Sequence, residues 1–436
     1  MREALSIRQA AQESGGVCME IPQLHQLLVC RPLLSDPILR RLMDFFARPD
    51  EEGAAYDFAA ALIREAERWG LAGNLVADYL VWQLARQENL AADTIEQQKG
   101  RIGESLRAAF IHDISLLAPL LREKPGAYLP FHFLDDYVPT DGRIADGPES
   151  AALFALLDHS WTAASLADAL IAHYQRYSSG DIAVYRVFRW DKKKKLVGIE
   201  NFAPLRLAQL IGYTEQKQAL LGNTLAFLSG RPANNVLLVG ARGTGKSTSV
   251  KALANEFFDQ GLRLVQLTKP QLVELPYIMG TLGRFTTKRF IVYLDDLSFE
   301  DSEPEYKTLK SGIEGGVETR PDNVLLYATS NRRHLIKESW HDRDGADEVH
   351  RGDSVNETIS LSDRFGLVIH YPAPNQKEYL AIIDHYLRAA GVLLPPEELR
   401  LAGQRWEMEH SGRSGRTARQ FVDYYLGQQK ALEDSP

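Results

Sequence analysis

Along the first 180 residues, apolar side chains recur at helical spacing. Phe58, Leu62, Ala66 and Trp69 fall at i, i+4, i+8 and i+11, and Leu166, Leu170, Tyr174 and Tyr177 repeat the same steps. Stripes of this period bury one face of a helix. They predict helix after helix from about 20 to 178, and an all-α domain over residues 1–179. The Pro-, Gly- and Asp-rich piece 137–150 interrupts the series and reads as a surface loop.

At "GDIAVYRVFRWDKKKKLVGIENF", 180–202, the period shifts to alternation, β-branched and aromatic residues dominate, and the lysines stand where a turn belongs. A strand or hairpin linker over 180–206 is expected, with Lys192–Lys195 solvated. From 235 onward short apolar runs alternate with helical patterns: "NVLLVG", "LRLVQL", "RFIVYL", "NVLLYATS" and "LVIHYP". Runs this continuous suit strands covered on both faces, so 207–372 is expected to be an α/β domain with five parallel strands between helices. After Pro372 only helical patterns remain, at about 375–390, 396–410 and 416–430, which predicts a small helical domain over 373–436.

Composition narrows this picture only modestly. The 436 residues carry 50 Lys+Arg against 58 Asp+Glu, a formal charge of -8, which argues against a chain dominated by nonspecific DNA binding and leans toward protein partners. Cys18 and Cys30 are the only cysteines and are expected to be small apolar residues in a reducing cytosol, not ligands. The start of the chain lacks an apolar leader core and no run of 18 apolar residues occurs, so a cytoplasmic protein without a membrane span is expected.

The chemistry concentrates after the first buried strand. "GARGTGKS", Gly240–Ser247, matches G-x-x-x-x-G-K-[ST] between a strand and a helix. Successive backbone N–H groups of Gly240, Ala241, Arg242, Gly243, Thr244 and Gly245 can curl around a phosphate, and the helix N-terminus opening at Lys246, Ser247 and Thr248 adds its dipole. Lys246 would reach the β- and γ-phosphates of ATP, and Ser247 would offer a hydroxyl to Mg²⁺. About fifty residues on, "VYLDDLSFE" ends an apolar strand in Asp295 and Asp296, with Glu300 beyond. Asp295 is placed to hold Mg²⁺ with Ser247; Asp296, or Glu300 if the segment is helical, is placed to polarise an attacking water. Aspartate is one methylene shorter than glutamate, which predicts slow turnover.

These motifs resemble the AAA+ ATPases over about 200–430. "LAQLIGYTEQKQALLGNTLAF" looks like the segment whose Ile-Gly turn packs on adenine, which implies Leu210, Ile211 and Gly212. "LLYATSN" resembles sensor 1, implying that Asn331 senses the γ-phosphate, and "LSDRFGLVIHYPAP" resembles the box carrying an arginine finger, implying Arg364. "SGRTARQFVDYY" offers two arginines for sensor 2, with apolar register favouring Arg419 over Arg416. More narrowly, "LDDLSFE", "EGGVETRPDNVLLYATSNRRHL" and "SLSDRFGL" are similar to a bacterial family of AAA+ ATPases known only as a domain of unknown function. The resemblance implies a P-loop core with a C-terminal helical lid, ATP and Mg²⁺ as cofactors, ADP as product and a homo-oligomeric ring or spiral, most often hexameric. It also implies a macromolecular partner recruited by the N-terminal helices. A relative with a double-Asp box can instead be a slow, ATP-gated switch, an assembly factor or a DNA-associated loader.

Three weaker signals complete the chain. "YIMG", 277–280, looks like a pore loop that grips polypeptide, but Leu275, Ile278, Met279 and Leu282 around it read as a core-facing helix. The polar stretch 339–358, with His341 and His350, lacks ligand spacing and reads as a loop. Arg332, Arg333 and His334 form a basic cluster beside Asn331 that could face a neighbouring subunit or stay solvated.

Overall fold

The computed structural model describes residues 23–48, 51–140, 153–155, 157, 160–193, 195–299, 304–314, 320–331, 364–410 and 412–433. The chain divides into two compact units, one running to Val184 and including Phe285–Thr287, the other formed by Tyr185–Arg284 and the remainder from Lys288.

The first unit is helical: α1 (Pro37–Ala47), α2 (Glu52–Trp69), α3 (Leu75–Arg86), α4 (Leu90–Gln97), α5 (Glu104–Arg122), α6 (Ala163–Tyr177) and the short α7 (Gly180–Val184). The predicted stripes face its core, with Phe58, Leu62, Ala66, Leu166, Leu170 and Tyr174 all within 1% of complete burial. Local chemistry sets the ends: Gly70 closes α2 in the left-handed conformation, and a Thr162–Ser165 capping box opens α6. The fully buried Asp113 of α5 accepts the backbone N–H groups of Leu28, Val29 and Cys30, which compensates its desolvation and pins the preceding turns. Cys30 is buried as expected, and burial pushes its thiol pKa up; Cys18 lies outside the described residues.

The second unit contains a seven-stranded sheet. Its strands are β1 (Val187–Asp191), β2 (Lys195–Gly198), β3 (Val236–Gly240), β4 (Leu262–Leu267), β5 (Arg289–Leu294), β6 (Val324–Ser330) and β7 (Leu367–Tyr371), in the order β2-β1-β4-β5-β6-β3-β7. The five expected strands form its parallel core. Two expectations need correction: residues 180–184 are helix, and the hairpin is not a free linker but extends the sheet. β1 pairs parallel with β4, Val187 against Leu264, and β2 closes antiparallel on β1. Without them β4 would be an open edge with unpaired N–H and C=O groups, so a hairpin rich in β-branched and aromatic residues has a ready partner there.

The helices of this unit are α8 (Thr214–Leu228), α9 (Lys246–Glu256), α10 (Leu275–Leu282), α11 (Pro304–Glu314) and, after β7, α12 (Gln376–Ala389), α13 (Pro396–Glu409) and α14 (Gly415–Glu433). The last three pack around Tyr379, Ile383, Leu387, Ala418 and Phe421 as the helical lid, with Ile211 from the segment before α8 set against them. Among the described residues no helix is long and apolar enough to cross a membrane. The carboxyl ends of β3, β5 and β6 share one edge, and in open α/β sheets ligands bind outside that edge.

Candidate nucleotide-binding site

A cavity of about 700 Å³ opens at this edge, between the P-loop, the ends of β5 and β6, and the lid helices α12 and α14. The backbone of the loop is held open by its glycines. Gly245 has φ 91°, and Gly240 lies so close to β7 that a Cβ there would stand 2.0 Å from the Tyr371 carbonyl oxygen. The lid is joined to the loop directly, since Gly415 N donates to Gly243 O at 3.0 Å.

Lys246 is 5% exposed at the first turn of α9, and its Nζ donates to Gly240 O and Ala241 O at 2.7 Å and to Asn331 Oδ1 at 3.0 Å. Burial draws its pKa down; Asp296 and Asp295 oppose the shift, and Arg416 reinforces it. The ammonium is thus confined among neutral acceptors that a phosphate can replace. Ser247 Oγ and Thr329 Oγ1 each donate to Asp295 Oδ1 at 2.7 Å, and Lys251 Nζ lies 4.0 Å from Oδ2. Burial alone would raise the Asp295 pKa, yet the Tyr293, Ser247 and Thr329 hydroxyls and Lys251 hold it below the usual carboxylate range. An ionised carboxylate paired with a hydroxyl is an all-oxygen donor set that fits Mg²⁺.

Asp296 follows in the left-handed region, φ 53°, with its N–H donating to Thr329 Oγ1 at 2.9 Å and its carboxylate accepting from Asn331 Nδ2. Asn331 therefore bridges Lys246 and Asp296. Leu210 and Ile211 line the cavity, with Leu210 packed over Gly245, while Gly212 makes the turn at φ 76° without lining it. Arg242, Gly243, Thr244, Gly245, Ser247 and Thr248 all line it.

The two lid arginines differ. Both border the cavity, but Arg416 is the one beside the P-loop, where its Cβ would meet a side chain at Gly243 and its charge acts on Lys246. Arg419 turns outward, Nε donating to Asp423 at 3.3 Å and its guanidinium lying over the Tyr386 ring. Arg364 is not among the cavity residues. It precedes β7, whose Leu367 pairs with Val236 at the start of β3, so it lies at the opposite end of that strand, about 13 Å along it from the P-loop edge. Glu300, Arg332, Arg333, His334 and the stretch 339–358 lie outside the described residues.

Several lining residues escaped the sequence reading. Thr329 lies two positions before Asn331 in β6, so strand alternation puts both on one side, a legible but unspecific signal. Ile382, His385, Tyr386 and Ala389 line the lid side at i, i+3, i+4 and i+7 of α12, a pattern that reads as packing until the lid is placed.

Several curated relatives match part of the chain, two of them as follows. It is 28% identical over 102 residues to the replication factor C large subunit of Methanococcus maripaludis, covering 23% of this chain and 21% of that one. It is also 28% identical over 109 residues to the replication factor C large subunit of Thermococcus kodakarensis, covering 22% and 21%. The chain thus spans about a fifth of the length of these relatives. Among solved structures, the Thermotoga maritima RuvB Holliday junction branch migration motor is similar at TM-score 0.37 and 18% identity, covering 52% of this chain and 66% of that one. Caenorhabditis elegans PCH-2 is similar at TM-score 0.34 and 18% identity, covering 52% and 65%. With the P-loop, the parallel core, the helical lid and a match over residues 183–429, the chain has the AAA+ P-loop fold and belongs to the family described as protein of unknown function (DUF815).

Proposed function

We propose that the protein is a Mg²⁺–ATP-dependent AAA+ ATPase, working as a cytoplasmic homo-oligomer that hydrolyses ATP between subunits to remodel or assemble a macromolecular partner. The observation that carries this reading is the joined constellation at the sheet edge: Ser247 and Thr329 on Asp295, and Lys246 linked through Asn331 to Asp296. In it, the P-loop amides and Lys246 bind the phosphates of ATP, with release of Lys246 from the Gly240 and Ala241 carbonyls. Leu210, Ile211 and the α12 face receive the base. Ser247 and Asp295 are the residues that would hold Mg²⁺, which when bound neutralises developing charge on the phosphate oxygens. Asp296 accepts a proton from the attacking water, and Arg416 adds positive charge at the phosphates in place of the more distant Arg419. The position of Arg364 away from its own subunit's cavity supports action on a neighbour, where a finger supplied in trans accelerates turnover by about 10³–10⁵.

A second reading, an ATP-gated switch or loader with little hydrolysis, is favoured by one observation: Asp296 is short and already engaged by Asn331. Steady-state hydrolysis over a range of protein concentrations separates the two, with Asp296→Asn and Arg364→Ala alongside. An engine gives turnover of about 1–10³ s⁻¹ that rises with concentration and collapses in both variants. Tight ATP binding with negligible turnover at every concentration supports the switch, and absence of ATP binding overturns both.

A further inference from the structure

Lys192 and Lys193 of the β1–β2 turn are exposed as expected, and the turn they sit on is tied to its surroundings. Asp191 accepts the Lys193 N–H at 2.8 Å to close the turn, and Lys192 Nζ lies 3.3 Å from Glu274. Trp190, 3% exposed, donates from Nε1 to Glu274 at 2.9 Å, and Gln271 Nε2 donates to the Trp190 carbonyl at 2.9 Å. The hairpin is thereby fixed against the segment that follows β4. On that segment the Tyr277 ring meets Trp190 edge-on at 5.9 Å, and Lys195 Nζ stands 4.2 Å from the Tyr277 ring centre. Lys195, chiefly, and Arg284 hold the Tyr277 hydroxyl below its usual pKa.

Helix α10 does not need Tyr277 for its packing, because Leu275, Ile278, Met279 and Leu282 supply a complete buried face. On the side away from that face, Tyr277 is 53% exposed, with Gly280 further along the helix; Val273, just before the helix, is 57% exposed, and Arg284, just after it, is exposed. A side chain at Gly280 would meet nothing within 4 Å, so the approach to this side is open. Lys192, Lys193 and Lys195 lie on the hairpin and Arg284 just past α10, with Asp191 and Glu274 among the described carboxylates of the same segments, on a chain whose formal charge is -8. None of these residues borders the nucleotide cavity.

We propose that this surface binds single-stranded nucleic acid, with a base stacked on Tyr277 and the flanking phosphates against Lys192, Lys193, Lys195 and Arg284. An exposed aromatic ring bordered by cations is the recurring platform for unpaired nucleotides, because each repeat of the polymer presents a π-face and a phosphate together. An acidic peptide would satisfy the cations and leave the ring without a partner. The overall acidity of the chain does not oppose this, since a local patch fixes where a polyanion sits while net charge sets only the long-range field.

The test is fluorescence anisotropy of labelled oligothymidylate on the full chain, with and without ATP and Mg²⁺, across a salt series. The wild type binds in the nucleotide-free arm, and log affinity falls linearly with log salt at about 0.7 per phosphate engaged. Tyr277→Ala weakens binding roughly five- to hundredfold, Tyr277→Phe retains it, and Lys192→Glu with Lys193→Glu weakens it and flattens the salt slope. ATP binding by the same variants stays at the wild-type level and reports that they fold. No binding in either arm at low salt, wild-type affinity in Tyr277→Ala, or tighter binding of polyglutamate to the same residues overturns the inference. Loss of the ATPase reading would leave the nucleotide-free arm untouched, so the two can fail separately.

Discussion

Replacing Thr329 by valine removes one hydroxyl and keeps the shape of the side chain, so any effect comes from two hydrogen bonds and not from a cavity. One is the bond to Asp295 Oδ1 at 2.7 Å, the other the acceptor for the Asp296 N–H at 2.9 Å. A hydrogen bond to a charged group contributes about 1.5–3 kcal/mol. The Asp295 side chain is 32% exposed, so water replaces part of the loss and about 1–2 kcal/mol is the expected share. The orphaned Asp296 amide adds about 1 kcal/mol, near the low end because Asp296 is itself exposed. Thr329→Val should therefore cost roughly 2–3 kcal/mol and lower the melting temperature by about 4–12 °C, with Thr329→Ser close to wild type. The Thr329 hydroxyl also helps depress the Asp295 pKa. A depressed carboxylate contributes stability above its unfolded value near 3.9, and that contribution disappears as pH falls through the lower folded value. The gap between wild type and Thr329→Val should accordingly be widest at neutral pH and narrow in acid. Differential scanning fluorimetry from pH 7 downward and calorimetric titration with Mg²⁺–ATP read both consequences, the second as roughly tenfold weaker binding. If Thr329→Val melts with the wild type at pH 7 and binds Mg²⁺–ATP equally well, Thr329 does not position the acidic pair.

Gly240→Ala places a methyl 2.0 Å from the Tyr371 carbonyl, so β3 and β7 must separate; a loss of about 3 kcal/mol or more is expected in denaturant unfolding, whereas a midpoint shift below about 1 kcal/mol would contradict the geometry. Arg416→Ala should weaken ATP binding or turnover at least tenfold more than Arg419→Ala, since only Arg416 acts on Lys246; equal effects measured side by side would return the role to Arg419. Because burial lowers the Lys246 pKa in the free protein and phosphate charge would raise it, ATP binding should take up protons at alkaline pH and weaken as pH rises through the free value. Titrations in buffers of different ionisation enthalpy check the sign, and proton release would refute it.

Much of this fold was legible because burial writes a period into the sequence. The stripes of α2 and α6 and the apolar runs of β3, β4, β5 and β6 required no partner information to be read. The hairpin was visible as alternation, but its place beside β4 was not, since a strand pattern states which face is buried and not which edge is filled. The first turn of that segment, Gly180–Val184, read as strand because five residues carry too little periodicity to separate helix from strand. In the site, Lys246, Ser247 and Asp295 were legible from the motif spacing and the acidic end of a buried strand, and the structure brings Ser247 and Asp295 together. Thr329 was legible only as an unspecific alternation with Asn331, and Tyr386 and the different settings of Arg416 and Arg419 were not, because those depend on how lid and sheet meet. Tyr277 shows the same limit from the other side: the helix around it packs as the apolar spacing says, and the exposed tyrosine is left over from that packing.

The contest between engine and switch turns on Asn331 more than on the length of Asp296. Its amide holds Lys246 with the oxygen and Asp296 with the nitrogen, so a γ-phosphate that recruits Lys246 withdraws one of the two contacts that orient Asn331. On the proposed reading, the carboxylate then gains freedom to meet water only when the phosphate is present. Asp296 also holds a left-handed backbone, which costs a non-glycine residue about 1–2 kcal/mol and is sustained by the N–H bond to Thr329. That backbone is held by β6 and the side chain by Asn331, so on the proposed reading the exchange of Asn331 between partners is what frees the carboxylate. A short carboxylate released by such an exchange can serve a rapid enzyme, and the same carboxylate held through it makes a switch. On the proposed reading Arg364 reaches the phosphate from a neighbouring subunit, so the protein concentration dependence of turnover decides between them.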